Sequence, residues 1–115
     1  MATLVPLNTF KTVTAELNTA PRIYYTCPEE TATIILMAQI TNVTTNYDCN
    51  VTFAHVSNTG VVLTELVRNF DIIRADAASV LTGRLVLEQN ASIMAFSGAN
   101  ANLKMTMSIL ETSLI

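Results

Sequence analysis

The sequence predicts an all-β fold, a single-domain antiparallel β-sandwich of jelly-roll-like type with about eight strands. Three observations predict it. Apolar and polar residues alternate along most of the 115 residues, as half-buried strands require. The alternating runs are short and are split by Asn, Asp, Gly and Pro, the residues that turns select. No period of 20–50 residues repeats, which excludes a solenoid.

Residues 1–8 read as an apolar N-terminal arm, in which Leu4, Val5 and Leu7 are broken by Pro6, ahead of a sandwich domain over 9–115. A first strand is predicted over 9–17, with Val13, Ala15 and Leu17 on one side and Thr12, Thr14 and Glu16 on the other. Pro21 ends it, because proline cannot donate to a ladder. A short strand over 22–27 closes at the turn Pro28-Glu29-Glu30. Residues 32–41 follow, with Ile34, Leu36, Ala38 and Ile40 on one face and Ile35 and Met37 on the other. A strand apolar on both faces is central or lies at a subunit contact.

A polar loop over 42–48 leads to a strand over 49–57, aligning Val51, Phe53 and His55. Asn58-Thr59-Gly60 is a hairpin turn, with Gly60 supplying the positive φ. Its partner runs over 60–68, and 69–74 continues it after a kink or bulge. Ile73, Ala77, Val80, Leu81 and Leu85 carry a helical spacing, so a short helix within 74–82 stays open. Gly83 and the alternation of Leu81, Leu85 and Leu87 against Thr82, Arg84 and Glu88 favour a strand. Gln89-Asn90 is a tight turn, and strands over 91–97 and 103–112 form a last hairpin around Gly98-Ala99-Asn100. Leu114 and Ile115 leave an apolar C-terminal tip.

Composition narrows the function classes. Half the residues are hydrophobic and only 13% are charged. A body this small has much surface for its volume and cannot hide all of that material internally. Other subunits are expected to cover the remainder. The densest apolar run, 32–40, falls far short of the roughly 20 residues of a spanning helix. The N-terminus lacks the basic start and apolar stretch of a signal peptide. No membrane partner is expected. The net charge is −3 and the six basic residues are scattered singly, so no nucleic-acid partner is expected either.

Candidate chemistry is sparse, and neither an enzyme nor a cofactor is predicted. His55 is the single histidine and is expected to be a partly buried, hydrogen-bonded imidazole on the face of Val51 and Phe53. A hydrolase would require it to lie in a cleft beside a carboxylate and a nucleophile. No Cys-x-x-Cys, His-x-His or Asp-x-Asp-x-Asp spacing offers a metal site. If the strands flanking Cys27 and Cys49 pair as a hairpin, the two cysteines stand roughly 30 Å apart, too far for a disulfide. Two free thiols suit a reducing cytoplasm. Of the three tyrosines, Tyr24 and Tyr25 should point oppositely, so at most one could join Tyr47 in a carbohydrate site.

Five segments carry a family resemblance: Arg22-Ile-Tyr-Tyr-Thr-Cys-Pro, Ile34-Ile-Leu-Met-Ala-Gln-Ile-Thr-Asn-Val, Leu63-Thr-Glu-Leu-Val-Arg-Asn-Phe-Asp-Ile, Leu81-Thr-Gly-Arg-Leu-Val-Leu-Glu and Met107-Ser-Ile-Leu-Glu. Across about 20–112 the chain resembles small virion structural proteins of tailed bacteriophages, of the cyanophage and marine phage type. These motifs are core and turn patterns. Other members often have Gly-Asp where this chain has Gln89-Asn90, which alters only a turn.

The resemblance implies a β-sandwich subunit of the particle rather than an enzyme, and it supplies no active-site residues. The expected role is a capsid decoration or cement protein, assembled in the bacterial host cytoplasm and resident in the virion. A neck, tail or tail-appendage component, with a receptor- or carbohydrate-binding role, is the alternative. Expected partners are the major capsid protein or neck and tail proteins, together with further copies of the chain, trimers being common for decoration. The predicted assembly contacts are Leu4, Val5, Leu7, Ile35, Met37, Val62, Leu66, Leu114 and Ile115.

Overall fold

The computed structural model describes residues 8–114. It contains nine strands: β1 (Asn8–Leu17), β2 (Arg22–Thr26), β3 (Thr31–Asn42), β4 (Cys49–Val56), β5 (Val62–Ile72), β6 (Ala77–Ser79), β7 (Leu85–Leu87), β8 (Ser92–Ser97) and β9 (Leu103–Ser113). They form two antiparallel sheets, ordered β1-β9-β3-β6, with β7 also paired to β3, and β2-β8-β4-β5. The pairing is nested, first strand with last, second with second-last, and inward to the β4–β5 hairpin. A long hairpin rolled up in this way is the jelly roll, and the predicted fold class holds. The one departure in strand number is that β6 and β7 share a single position, both against β3.

Alternation sets the core. Val13, Ala15 and Leu17 of β1 face inward beside Met105, Met107 and Ile109 of β9, and they meet Val51, Phe53, Ile93 and Ala95 of the other sheet. On β3 the alternation breaks. Ile35 pairs with Ile109 and Met37 with Ser108, so Leu36 is an extra residue with no opposite number. Such a bulge shifts the phase by one. Thr33 and Ile35 are buried before it; Ala38, Ile40 and Asn42 are buried after it. Strict alternation had placed Ile35 with Met37 at a subunit contact. Ile35 is instead fully buried in the core, and its assignment as a contact is corrected.

Other expectations are corrected by the division into sheets. β3 and β4 lie in different sheets, so the hairpin ladder assumed for Cys27 and Cys49 does not exist. Both cysteines are buried and free. β8 and β9 also lie in different sheets, so the last pair is a crossing rather than a hairpin. Gly98 makes that crossing possible: its N–H donates to the Asn50 carbonyl at 3.0 Å, and a Cβ there would stand 2.6 Å from Asn50 Oδ1. Tyr24 is a bulge residue between Ile23 and Tyr25, so both tyrosines pack against the core instead of pointing oppositely.

The turns follow their chemistry. Gly60 has a φ of 85° in the β4–β5 hairpin and Asn90 a φ of 65° before β8. Asn69, at 49°, marks the bulge through which β5 continues to Ile72. No helix forms among the described residues, and the 74–82 segment carries β6. Asn8 pairs with Thr112 and already belongs to β1, which moves the strand start one residue into the predicted arm.

Asn42 fastens one end of the roll. Its fully buried amide donates to the Tyr47 carbonyl at 3.0 Å and the Ile72 carbonyl at 2.9 Å, and its Oδ1 accepts from Thr44 N–H at 3.0 Å. One side chain thus ties the β3–β4 loop to the end of β5. Asn42→Ala strands the Ile72 carbonyl without its partner, and it should lower stability by about 2–3 kcal/mol in chemical denaturation. An unchanged denaturation midpoint would show that the loop is held by other means.

Candidate assembly surface

The outward face of the β1-β9-β3 sheet is built of cross-strand rows two residues apart. Phe10 lies opposite Leu110, Leu110 opposite Ile34, and Ile34 opposite Val86. This continuous apolar row crosses four strands on the side away from the core. Phe10 is 73% exposed and Val86 57%. The next row holds Thr12, Ser108 and Met37, and the bulge residue Leu36 stands beside it. Phe10, Thr12, Leu36 and Ser108 rim a shallow recess of about 260 Å³. Thr14, Thr106, Gln39 and Ser79 follow, and Glu16 opposite Lys104 closes the far end.

The predicted contacts divide among several locations. Met37 is exposed on this face, Val62 is 43% exposed on the edge strand β5, and Leu114 is exposed beyond β9. Leu66 is half-buried against the core. Leu4, Val5, Leu7 and Ile115 lie outside the described residues. Sequence reading missed Phe10, Leu110 and Val86. The cross-strand register that aligns them is a property of pairing between distant strands, although the outward parity of Phe10 was readable from Val13, Ala15 and Leu17.

At the end of the sandwich where β1 begins, a polar chain bridges the two sheets. Tyr25 donates its hydroxyl to Glu111 Oε2 at 2.5 Å and stands 2.8 Å from Thr33 Oγ1. Lys11 Nζ lies 2.9 Å from Glu111 Oε1, whose side chain is mostly buried. Thr33 donates to Cys27 Sγ, and the Cys27 thiol donates to the Thr31 carbonyl, each at 3.2 Å. Burial raises the Tyr25 hydroxyl well above its usual range, and the Glu111 carboxylate raises it further. Burial alone would raise Glu111, but the Tyr25 hydrogen bond and the Lys11 ammonium outweigh it and hold the carboxyl low.

His55 is half-buried at the rim of a cavity of about 190 Å³ that also contains Ser57 and Glu88. The Ser57 hydroxyl is committed to the hairpin: it lies 2.9 Å from Thr59 Oγ1 and accepts from Thr59 and Val61 N–H. Among the described residues no hydrogen bond joins His55 to Ser57 or Glu88, and no group of three or more metal-ligating side chains occurs. The Tyr24 hydroxyl donates to the Glu16 carbonyl at 3.3 Å. With Tyr24 and Tyr25 turned inward, Tyr47 stands exposed without another tyrosine beside it.

Comparison with solved structures finds this fold elsewhere. A subunit of the Bacillus endospore appendages, described as a novel family of disulfide-linked pili, is 13% identical over 94% of this chain and 88% of that one, with a TM-score of 0.58. A chain of the infectious bursal disease virus T13 particle is 8% identical over 94% of this chain, with a TM-score of 0.49. One from the Gx strain of that virus is 7% identical over 92% of this chain, also at 0.49. This chain spans 31% and 32% of those two viral chains. The likeness to the appendage subunit is one of fold. No protein-family model matches the sequence, and no curated protein does.

The Glu111 cluster gives a pH signature. A carboxyl held low in the folded state contributes stability above its unfolded pKa, ordinarily near 4.5, and loses it as pH falls through the folded value. Glu111→Gln should therefore be less stable than the parent at neutral pH, with the gap closing as pH drops below about 4.5. Urea titrations across that range check it; a gap that stays constant with pH would remove the electrostatic role.

Proposed function

We propose that this protein is a structural subunit of a bacteriophage virion, a capsid decoration or cement protein that binds the major capsid protein and further copies of itself. The observation that carries the reading is the placement of apolar side chains outside the core. Phe10, Ile23, Val61, Val62, Leu63, Val86 and Leu114 are all exposed in a chain with little charge to cover it. Contacts that bury such residues gain about 25 cal/mol for each Å² removed from water. A preformed sandwich with few long charged side chains loses little conformational entropy on docking. The commitment of the Ser57 hydroxyl to its turn supports a structural role over a hydrolytic one.

A second reading, a neck, tail or appendage subunit, is favoured by the fold shared with the pilus subunit. The chemistry of linkage separates the two proteins. The pili are described as disulfide-linked, whereas Cys27 and Cys49, the two cysteines of this chain, are buried in its core. Assembly here is by non-covalent burial.

Two measurements test the proposal. Immunogold labelling and mass spectrometry of gradient-purified phage particles should find the protein in the virion; absence from intact particles would overturn it. Its assemblies should also migrate as single 12.5 kDa chains on denaturing gels without reductant. A reductant-sensitive ladder would instead assign a covalent, pilus-like mode.

A further inference from the structure

We propose that the outward face of the β1-β9-β3 sheet is a self-pairing surface whose partner is the same face of a second copy, with each Phe10 seated on the rim of the other copy's recess. The proposal rests on the assembly role above and names the contact through which like copies meet. The juxtaposition of knob and hole carries it. Phe10 projects from the sheet at 73% exposure and forms one wall of a recess of about 260 Å³ that Lys11, Thr12, Leu36, Ser108 and Ile109 also line. A protrusion adjoining a cavity on one surface is self-complementary under a two-fold axis, the commonest symmetry of homo-oligomers. An axis lying across the strands between the Phe10 and Thr12 rows brings each ring over the Thr12 rim of the other recess, where the aromatic ring can anchor the contact.

Charge and area fit the same occupant. The outward rows carry one acidic and one basic side chain, Glu16 and Lys104, opposite each other in the ladder. They sit at the far end from Phe10; Lys11, which also lines the recess, has its ammonium paired with Glu111 at 2.9 Å. β1, β9 and β3 are 10, 11 and 12 residues long. At about 3.3 Å per residue and about 4.8 Å between strands, with β7 extending the row, the face covers roughly 500–600 Å². An axis between the Phe10 and Thr12 rows leaves the Glu16–Lys104 end uncovered, so about four-fifths of the three strands overlap and two faces bury roughly 800 Å², the size of a weak, concentration-dependent contact. The polar remainder is Thr, Ser and Gln, short or uncharged groups that desolvate at less cost than charged ones.

The test is the mass of the purified full chain in solution, by light scattering and sedimentation. The parent should pair, with twice the 12.5 kDa chain mass at saturation. Phe10→Asp should weaken pairing about 30-fold or more, the loss expected of an interface anchor. Thr12→Arg, which places a charge on the recess rim, should do the same. Both positions are exposed, and unchanged thermal melting will show that each variant is folded. Val62→Asp, on the other sheet, should leave pairing intact. A parent that stays monomeric, or an oligomer that survives both Phe10→Asp and Thr12→Arg, would overturn the proposal. A monomer found in virions would sink this pairing alone, whereas a pairing protein absent from virions would sink the virion role alone.

Discussion

The extra residue at Leu36 decides which half of the central strand faces the core. Upstream of it the inward positions are Thr33 and Ile35; downstream they are Ala38, Ile40 and Asn42. Without the bulge, a 12-residue strand in strict alternation would turn Met37, Gln39 and Thr41 inward and expel Ile40 and Asn42. The Asn42 amide would then lose the three hydrogen bonds that fasten the β3–β4 loop to β5. The same shift places Leu36 and Met37 on the outer side together, which widens the outer face and shapes the recess beside Phe10. Core, clamp and surface thus follow from one irregularity in one ladder.

The two sheets are held together by different means along the sandwich. Its middle is apolar, with Phe53, Ile93, Met107 and Ile109 filling the space between sheets. The end near Asn42 is closed by backbone and amide hydrogen bonds. The opposite end is closed by Tyr25, which spans from its own sheet to Glu111 and Thr33 of the other. A carboxylate there would be costly to bury by itself; Lys11 and the phenol together make its charged form the favoured one. All the buried side-chain polar atoms among the described residues have a partner. The interior is therefore saturated, and the unsatisfied material of this chain is apolar and on the outside.

Much of this was legible in the sequence, and the failures share a cause. Period-two alternation located most of the strands, and Gly60, Asn90 and the Asn69 kink were read from turn chemistry. The excess of hydrophobic residues over what a small core can shelter pointed to apolar side chains left outside it, as Phe10, Val62 and Val86 are. What escaped was information held between strands. Leu36 and Tyr24 look like ordinary members of alternating runs, because a bulge is defined by the partner strand's spacing. The β8–β9 connection reads as a hairpin because a turn at Gly98 is the same whether the next strand joins the same sheet or the facing one. Ile35 was misplaced by the first limit, and the Phe10–Leu110–Ile34–Val86 row was invisible because its members are brought side by side only by the register.

The edges of the sheets explain why faces, rather than strand addition, are the natural contact. An open edge with unpaired backbone groups recruits other strands unless it is blunted. β6 and β7 are three residues each. β2 has five residues and a bulge at Tyr24. β5 is long, but its register with β4 breaks three times, which twists its free edge out of line. β1 is the straight one, ten residues in unbroken register with β9. It carries the device best suited to such an edge, an inward-facing charge: Lys11, anchored to Glu111. A neighbour that pulled β1 into a flat continuous sheet would have to strain or desolvate that ion pair. With every edge of both sheets defended in its own way, the flat outer side of β1, β9 and β3, where the bulge cuts a recess next to Phe10, is open to contact by its face rather than by strand addition.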